Sequence, residues 1–316
     1  MREIRHSEVK DFTDRDLQDV YAKVEDLDVV GIESFKDDFI SHLASDPCID
    51  GVALPWLETH DLVRLRMKEI SIWAGINGHK KSTVLSQVLL WAAKEVRVGL
   101  ASFEMPIHYT AKMMCKQAAC SDTPPESYGH RFIDWAAKRF LWYRVLGGVE
   151  PIQCLGAIVA MAKRGAKIIA IDNLQFTGVT EDMVRERLFF NQLIGLAEAL
   201  DIHIAIVHHV RKPERGGDEF VPSRFDVRGS SSLVDQAHLL FIVWHNKKRN
   251  RILRQQEMGL PLTEKDTEVL QQEEDLKLIV AKQRNAPFEG TIRLWECKGQ
   301  SFKKHSKGKS LILEDV

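Results

Sequence analysis

The chain has 316 residues, 44% of them hydrophobic and 28% charged, which suits one large α/β domain with a buried core and a small extension. Its formal net charge of -1 excludes a polycation, so any nucleic-acid binding must rest on Lys and Arg gathered locally. Cys48, Cys115, Cys120, Cys154 and Cys297 form no C-x-x-C pair, which argues against a disulfide framework or a structural zinc site and for a reducing compartment. The start, MREIRHSEVKDF, lacks the apolar core of a signal peptide, and no stretch reaches the length of a membrane span. A cytoplasmic protein with no membrane partner is expected.

Residues 1–49 read as a helical arm or linker. In TDRDLQDVYAKVEDL, Thr13 and Asp16 have capping-box spacing, and Leu17, Val20, Tyr21, Val24 and Leu27 share a face. In SFKDDFISHLASDP, Ser34 and Asp37 repeat the spacing, with Phe35, Phe39, Ile40 and Leu43 as the stripe. Either stripe can serve an intramolecular core or dock on a neighbouring subunit. From residue 50 to 316 strands alternate with helices, the pattern of a mainly parallel sheet. Strands are expected at Glu69–Trp73, Val98–Phe103, Phe140–Val145, Ile168–Asp172, His203–His208 and Leu239–Trp244, with helices between them that include Ser82–Lys94, Ile107–Ala119 and Arg185–Ala199. A polar, Gln-rich segment at 246–275 reads as a solvated helical insertion. Lys277–Gln283, Thr291–Trp295 and a strand near Phe302 complete the chain as antiparallel strands at the sheet edge.

After the strand EISIW comes AGINGHKKST and then an apolar helix. A strand, a glycine-bearing loop and a helix N-terminus make a phosphate-binding device: backbone N–H groups and the helix dipole face the anion, a lysine reaches the outer phosphates, and a hydroxyl holds Mg²⁺. In the register of G-x-x-x-x-G-K-[ST], Gly75 is the first glycine, Lys81 the lysine and Ser82 the hydroxyl. The candidate nucleotide-binding set is Gly75, Asn77, Gly78, His79, Lys80, Lys81, Ser82 and Thr83. Lys80 stands where the second glycine belongs. A side chain there requires backbone that stays helical, because the Cβ penalty applies mainly to positive φ.

Further motifs follow in order. VRVGLASFEMP is an apolar strand ending at Glu104, placed to polarise a water attacking a γ-phosphate, or else merely a favourable helix N-terminal acid. KIIAIDNLQF ends a buried strand in Asp172, the Walker B layout, with Ser82 and Asp172 as the Mg²⁺ pair. IHIAIVHHVRKP ends in His208 and His209 before a basic loop, and RFDVRGSSSLVDQA places Arg228 and Gly229 ahead of three serines. LKLIVAKQRNAPFEGTIRL puts Lys282 and Arg284 on one face of an edge strand, as an arginine finger needs and as a protected edge also shows. In the loop after His209, Arg211, Lys212 and Arg215 can track a phosphate backbone, with no aromatic among them to stack bases.

SFEMP, IIAIDNLQ, VHHVRKP, DVRGSSSLVDQA and IVAKQRNAPFEGT together resemble the successive motifs of the DnaB-type replicative ring helicases, over roughly residues 50 to 305 apart from the insertion. The AKQRN string is close to the bacterial form and the His209-Val-Arg-Lys-Pro string to the phage and mitochondrial form. The resemblance implies a RecA-like P-loop NTPase core and a homo-oligomer, usually a hexameric ring, threaded by single-stranded DNA. It implies ATP or another nucleoside triphosphate with Mg²⁺, and Glu104 as catalytic base. Asp172 becomes the Walker B acid, His209 the γ-phosphate sensor, and Arg284 with Lys282 a contact in trans to the neighbour's nucleotide. A primase, a polymerase or a loader are the partners it brings, and the cytoplasm of a bacterial or phage-infected cell the setting. The region before residue 50 is too short for a zinc-binding primase module or a catalytic primase domain. A RecA-like single-stranded-DNA ATPase that does not unwind shares Lys81, Glu104 and Asp172, and a hydrolysis-deficient ring scaffold has Lys80 in its favour.

Overall fold

A computed structural model describes residues 30–44, 50–211, 217–229, 231–305 and 316. The chain divides into two compact units, residues 1–45 and 46–316. In the first, helix α1 (Lys36–Ala44) is entered through a 3-10 turn at Ile32–Phe35, with Gly31 at its N-cap and no side-chain cap. The expected Ser34–Asp37 capping box does not form, because Ser34 lies inside this turn and its N–H donates to the Gly31 carbonyl at 3.1 Å. Phe35, Phe39, Ile40 and Leu43 are each at least half exposed, the state of a docking surface rather than of a core stripe. The Thr13–Leu27 helix lies outside the described residues.

The second unit opens with a small antiparallel ladder of β1 (Val52–Ala53) and β2 (Arg64–Leu65). The main sheet contains β3 (Ile70–Gly75), β4 (Arg97–Ser102), β5 (Phe140–Tyr143), β6 (Ala166–Asp172), β7 (His203–His209), β8 (Leu239–His245), β9 (Leu276–Gln283), β10 (Gly290–Cys297) and β11 (Ser301–Lys303). Their spatial order is β11-β10-β9-β8-β3-β7-β6-β4-β5. Strands β3 to β8 run parallel, while β9, β10 and β11 add antiparallel pairs at one edge. This is the expected mixed sheet, and its parallel strands are apolar almost throughout because helices cover both faces.

The period of two divides the core. Along β3, Ile70, Ile72 and Ala74 pack with Cys154 and Ile158 of α5 (Pro151–Lys163) and with Phe190 and Leu193 of α6 (Met183–Ala199). Trp73 points to the other face, among Val84 and Val88 of α2 (Lys81–Ala92), Met114 of α3 (Ile107–Ala119) and Phe132 of α4 (Glu126–Arg139). Each such fully buried aliphatic or aromatic side chain stabilises the fold by about 1.5–3 kcal/mol. Ser71, the polar residue in this strand, is satisfied: its hydroxyl lies 2.8 Å from His203 Nε2 and accepts from Trp73 Nε1 at 3.0 Å.

A short helix, α7 (Ser231–Gln236), precedes β8. The insertion forms α8 (Lys247–Glu257) and α9 (Glu264–Gln272), as its composition suggests. Asn246 caps α8 by accepting from the Arg249 N–H at 2.9 Å, and Thr263 with Asp266 builds a capping box on α9. The segment is less solvated than expected. Ile252 and Val269 are buried, and Arg249 forms a buried ion pair with Asp275. A charge count reads both residues as solvent-facing; in the fold each cancels the other.

Candidate nucleotide-binding and hydrolysis site

Because β3, β4, β6 and β7 are parallel, their C-terminal ends open at one edge, where α/β sheets bind ligands. The loop of Ile76–Lys80 leaves β3 there and feeds α2. Its backbone departs from the helical conformation expected at Lys80, which takes φ 62° and ψ 26° in the left-handed region, while Gly78 takes φ 75°. The turn into the helix demands this shape, and a non-glycine residue holds it at a cost of about 1–2 kcal/mol. Lys80 gains a compensating contact: its ammonium lies 2.5 Å from Glu296 on β10 and 5.9 Å from the Phe302 ring. Both charged side chains are partly buried, and such a pair returns about 1 kcal/mol after screening.

The remaining loop residues divide by direction. His79 is fully buried, and its Nδ1 accepts from the His245 N–H at 3.1 Å, so this side chain ties the loop to β8 instead of facing the crevice. Asn77 and Gly78 are exposed, and Ser82 and Thr83 lie half-buried on the first turn of α2. Lys81 is buried, and its Nζ donates to the carbonyls of Gly75 and Ile76, both at 3.1 Å. Burial pulls its pKa down to about 8 against the opposing pull of Asp172 and Glu104.

Asp172 ends β6 and is 9% exposed. Burial pushes its pKa up to about 6, with the Ser82 hydroxyl holding it down and Glu104 adding to the rise. Its Oδ1 has no hydrogen-bond partner among the described residues. A buried carboxylate oxygen without a partner, beside a hydroxyl, is a donor set that a Mg²⁺ ion fits, since Mg²⁺ takes one or two protein oxygens and completes its shell with phosphate and water. Among the described residues no group of three or more His, Cys, Asp or Glu forms a closed metal cage.

The residue that joins the cluster is Asn173, which sequence reasoning passed over. It is buried, and its Nδ2 donates to Glu104 Oε2 at 2.9 Å and lies 3.2 Å from His209 Nε2. Its Oδ1 accepts from the Gln175 N–H at 3.0 Å, which fixes the amide's orientation. The available signal was its position directly after a strand-terminal acid. His209, at the end of β7, also lies 3.4 Å from Lys81 through Nδ1. Burial, then the charge of Lys81, depresses its pKa to about 4, so the ring is neutral at pH 7. A neutral imidazole accepts at one nitrogen only, so Lys81 and Asn173 compete for it.

Beyond β7 the chain doubles back. Val210 and Val227 form an antiparallel bridge, and the Arg228 N–H donates to the His209 carbonyl at 2.9 Å. His208 is buried and neutral, and its Nε2 donates to the Arg228 carbonyl at 2.7 Å. Arg211 and Arg228 are exposed; Lys212 and Arg215 lie outside the described residues. Gly229 has φ 97°, and a Cβ there would sit 2.4 Å from a Glu186 carboxylate oxygen, so both backbone and packing require glycine.

Lys282 and Arg284 are not brought to Lys81 within the chain. β9 is antiparallel to β8, with Gln283 opposite Leu239, which places both cations at the far end of the parallel strands. There Lys282 Nζ donates to the carbonyls of Val234 and Asp235 at 2.8 and 2.6 Å, and Arg284 also donates to Asp235.

No family model and no curated protein sequence matches this chain. Solved structures do. A helicase ATPase domain solved on its own matches with a TM-score of 0.69 at 16% identity, covering 88% of this chain and 100% of that one. A DnaB-like replicative helicase, from a structure concerned with its interactions with primase, matches with a TM-score of 0.67 at 16% identity, covering 91% of this chain and 71% of its own. The chain therefore has the RecA-like α/β fold of DnaB-like replicative helicase ATPase domains. Among the described residues no helix is long and apolar enough to cross a membrane.

Proposed function

We propose that this chain is an ATP-hydrolysing subunit of a DnaB-like ring helicase that translocates on single-stranded DNA and unwinds duplex at a fork. The observation that carries the proposal is the connected set Lys81, Asp172, Asn173, Glu104 and His209 at the ends of adjacent parallel strands. Lys81 and the N-terminal N–H groups of α2 bind the phosphates of the nucleotide. Ser82 and Asp172 would hold Mg²⁺, which neutralises charge on the phosphates when bound. Glu104, held by Asn173, accepts the proton of the attacking water. His209 gives up its contact with Lys81 when a γ-phosphate recruits that ammonium, and passes the change through its backbone to Arg228. Arg211 and Arg228 follow the DNA phosphates by charge, independent of sequence.

The ring is supported by two features that a lone chain does not use. The exposed stripe of α1 suits docking on a second copy, and the remote Lys282 and Arg284 suit a site shared across subunits. Deleting residues 1–45 should dissolve the ring; a truncated chain that still sediments as a hexamer refutes the arm. The DnaB-like relative studied for its interactions with primase supports a primase among the partners, and a polymerase or loader would act at the same fork. The 5′ to 3′ polarity rests on the family resemblance.

The test is unwinding of a forked duplex with ATP and Mg²⁺ by wild type and Lys81→Ala. Unwinding by wild type alone supports the helicase. DNA-stimulated hydrolysis without unwinding moves the chain to the single-strand ATPases, and absence of hydrolysis leaves a ring scaffold.

A further inference from the structure

An exposed aromatic ring stands among the cations beyond β7. Phe225, at 78% exposure, is the most exposed large apolar side chain among the described residues. Single apolar residues on a surface are ordinary; two features set this one apart. Its backbone is fixed. It occupies a one-turn 3-10 helix, Arg224–Asp226, in which Ser223 Oγ accepts from the Phe225 N–H and Asp226 accepts from the Ser223 N–H and hydroxyl, both at 2.7 Å. The Val210–Val227 bridge and the Arg211 N–H, which donates to the Asp226 carbonyl at 2.7 Å, then pin that turn to the end of β7. The second feature is charge. The Arg224 guanidinium lies over the ring at 5.0 Å from its centroid, and Arg211 and Arg228 are exposed nearby in the same doubled-back segment. The Asp226 carboxylate is engaged in the cap and leaves these cations in excess around the ring.

We propose that Phe225 is a stacking platform for one base of single-stranded nucleic acid, with Arg211, Arg224 and Arg228 holding the flanking phosphates. This rests on the single-stranded-DNA binding proposed above and adds base contact to it. A phenyl face accepts any base, so the platform strengthens binding without conferring sequence preference. It also sits three residues from Arg228, whose main chain bonds both His208 and His209, so a stacked base is linked by backbone hydrogen bonds to the hydrolysis cluster.

The test compares binding of an oligo(dT) strand with that of an abasic strand of equal length and charge, using the full chain. Wild type should prefer oligo(dT) by roughly 5- to 100-fold, the range base–aromatic stacking supplies. Phe225→Ala should lose that preference and keep the salt dependence, which belongs to the arginines. Phe225→Leu, apolar but not planar, should behave like the alanine variant, and Phe225→Trp should retain affinity and show quenched emission on oligo(dT). Because the side chain is exposed, none of these changes touches the core. Equal binding of both strands by wild type, or full oligo(dT) affinity in Phe225→Ala, overturns stacking alone. Wild type that binds neither strand overturns the single-stranded-DNA reading, and the platform with it.

Discussion

Replacing Asp172 by Asn should make the nucleotide-free protein more stable while abolishing Mg²⁺-dependent hydrolysis. The carboxylate is buried with one oxygen unpartnered, and its pKa is raised from 3.8 to about 6. A raised carboxyl pKa means that the protonated form is favoured in the fold. Its stabilisation is complete below about pH 4 and is lost as pH rises through 6. At pH 7 the ionised group is therefore carried at a cost of about 3 kcal/mol for a shift of two units. Asparagine removes that charge, but it also strips Lys81 of a partner that supports its ammonium, so the expected net gain is about 1–2 kcal/mol. Urea denaturation of both proteins without nucleotide at pH 7 and at pH 4.5 measures it. The Asn variant should lead at pH 7, and the gap should close at pH 4.5, where the wild-type carboxyl is largely protonated. A variant less stable than wild type at pH 7, or a gap indifferent to pH, would refute the reasoning.

Asn173→Ala removes a hydrogen bond to the Glu104 carboxylate, a charged-group contact of about 1.5–3 kcal/mol. Hydrolysis should fall in kcat by roughly 10- to 100-fold with KM little changed, and an unaltered kcat would show that Glu104 is held by something else. The depressed pKa of Lys81 gives nucleotide binding a pH dependence. Above about pH 8 the free lysine is mostly neutral and must take up a proton to meet phosphate, so affinity should weaken by up to about tenfold per unit from there. Lys81→Arg should bind with a flat profile over the same range; a flat wild-type profile contradicts the assignment. Lys80→Gly relieves left-handed strain, loses the Glu296 pair and loosens the unfolded chain, so thermal denaturation should place it within about 1 kcal/mol of wild type. A loss of several kcal/mol would mean the pair holds far more than the loop.

The sheet was legible because its signals are local. Apolar runs such as IIAID and IHIAIV can only be strands buried on both faces, and β6 and β7 end at the Asp172 and His209 that the motifs single out. The α8 and α9 helices of the insertion follow equally from composition and capping residues. What escaped depends on partners distant in the chain. The pairing of Arg249 with Asp275, the inward turn of His79 onto His245, and the Trp56 indole donating to the Phe302 carbonyl at 3.0 Å have no local signature. Phe225 escaped for another reason: it follows the basic run by ten residues in sequence, and only the Val210–Val227 bridge brings it back beside Arg211. The left-handed Lys80 could have been anticipated, since the motif's second glycine marks the backbone conformation rather than an absence of bulk.

The contact of Lys80 with Glu296 joins positions 216 residues apart, on the phosphate loop and on the edge hairpin. It makes a statement about descent that sequences alone can check. A relative with glycine at position 80 has no ammonium to neutralise at position 296, where an acid beside the neutral, buried His245 would then stand alone. Positions 80 and 296 should therefore change together along this lineage, lysine with a carboxylate and glycine without one.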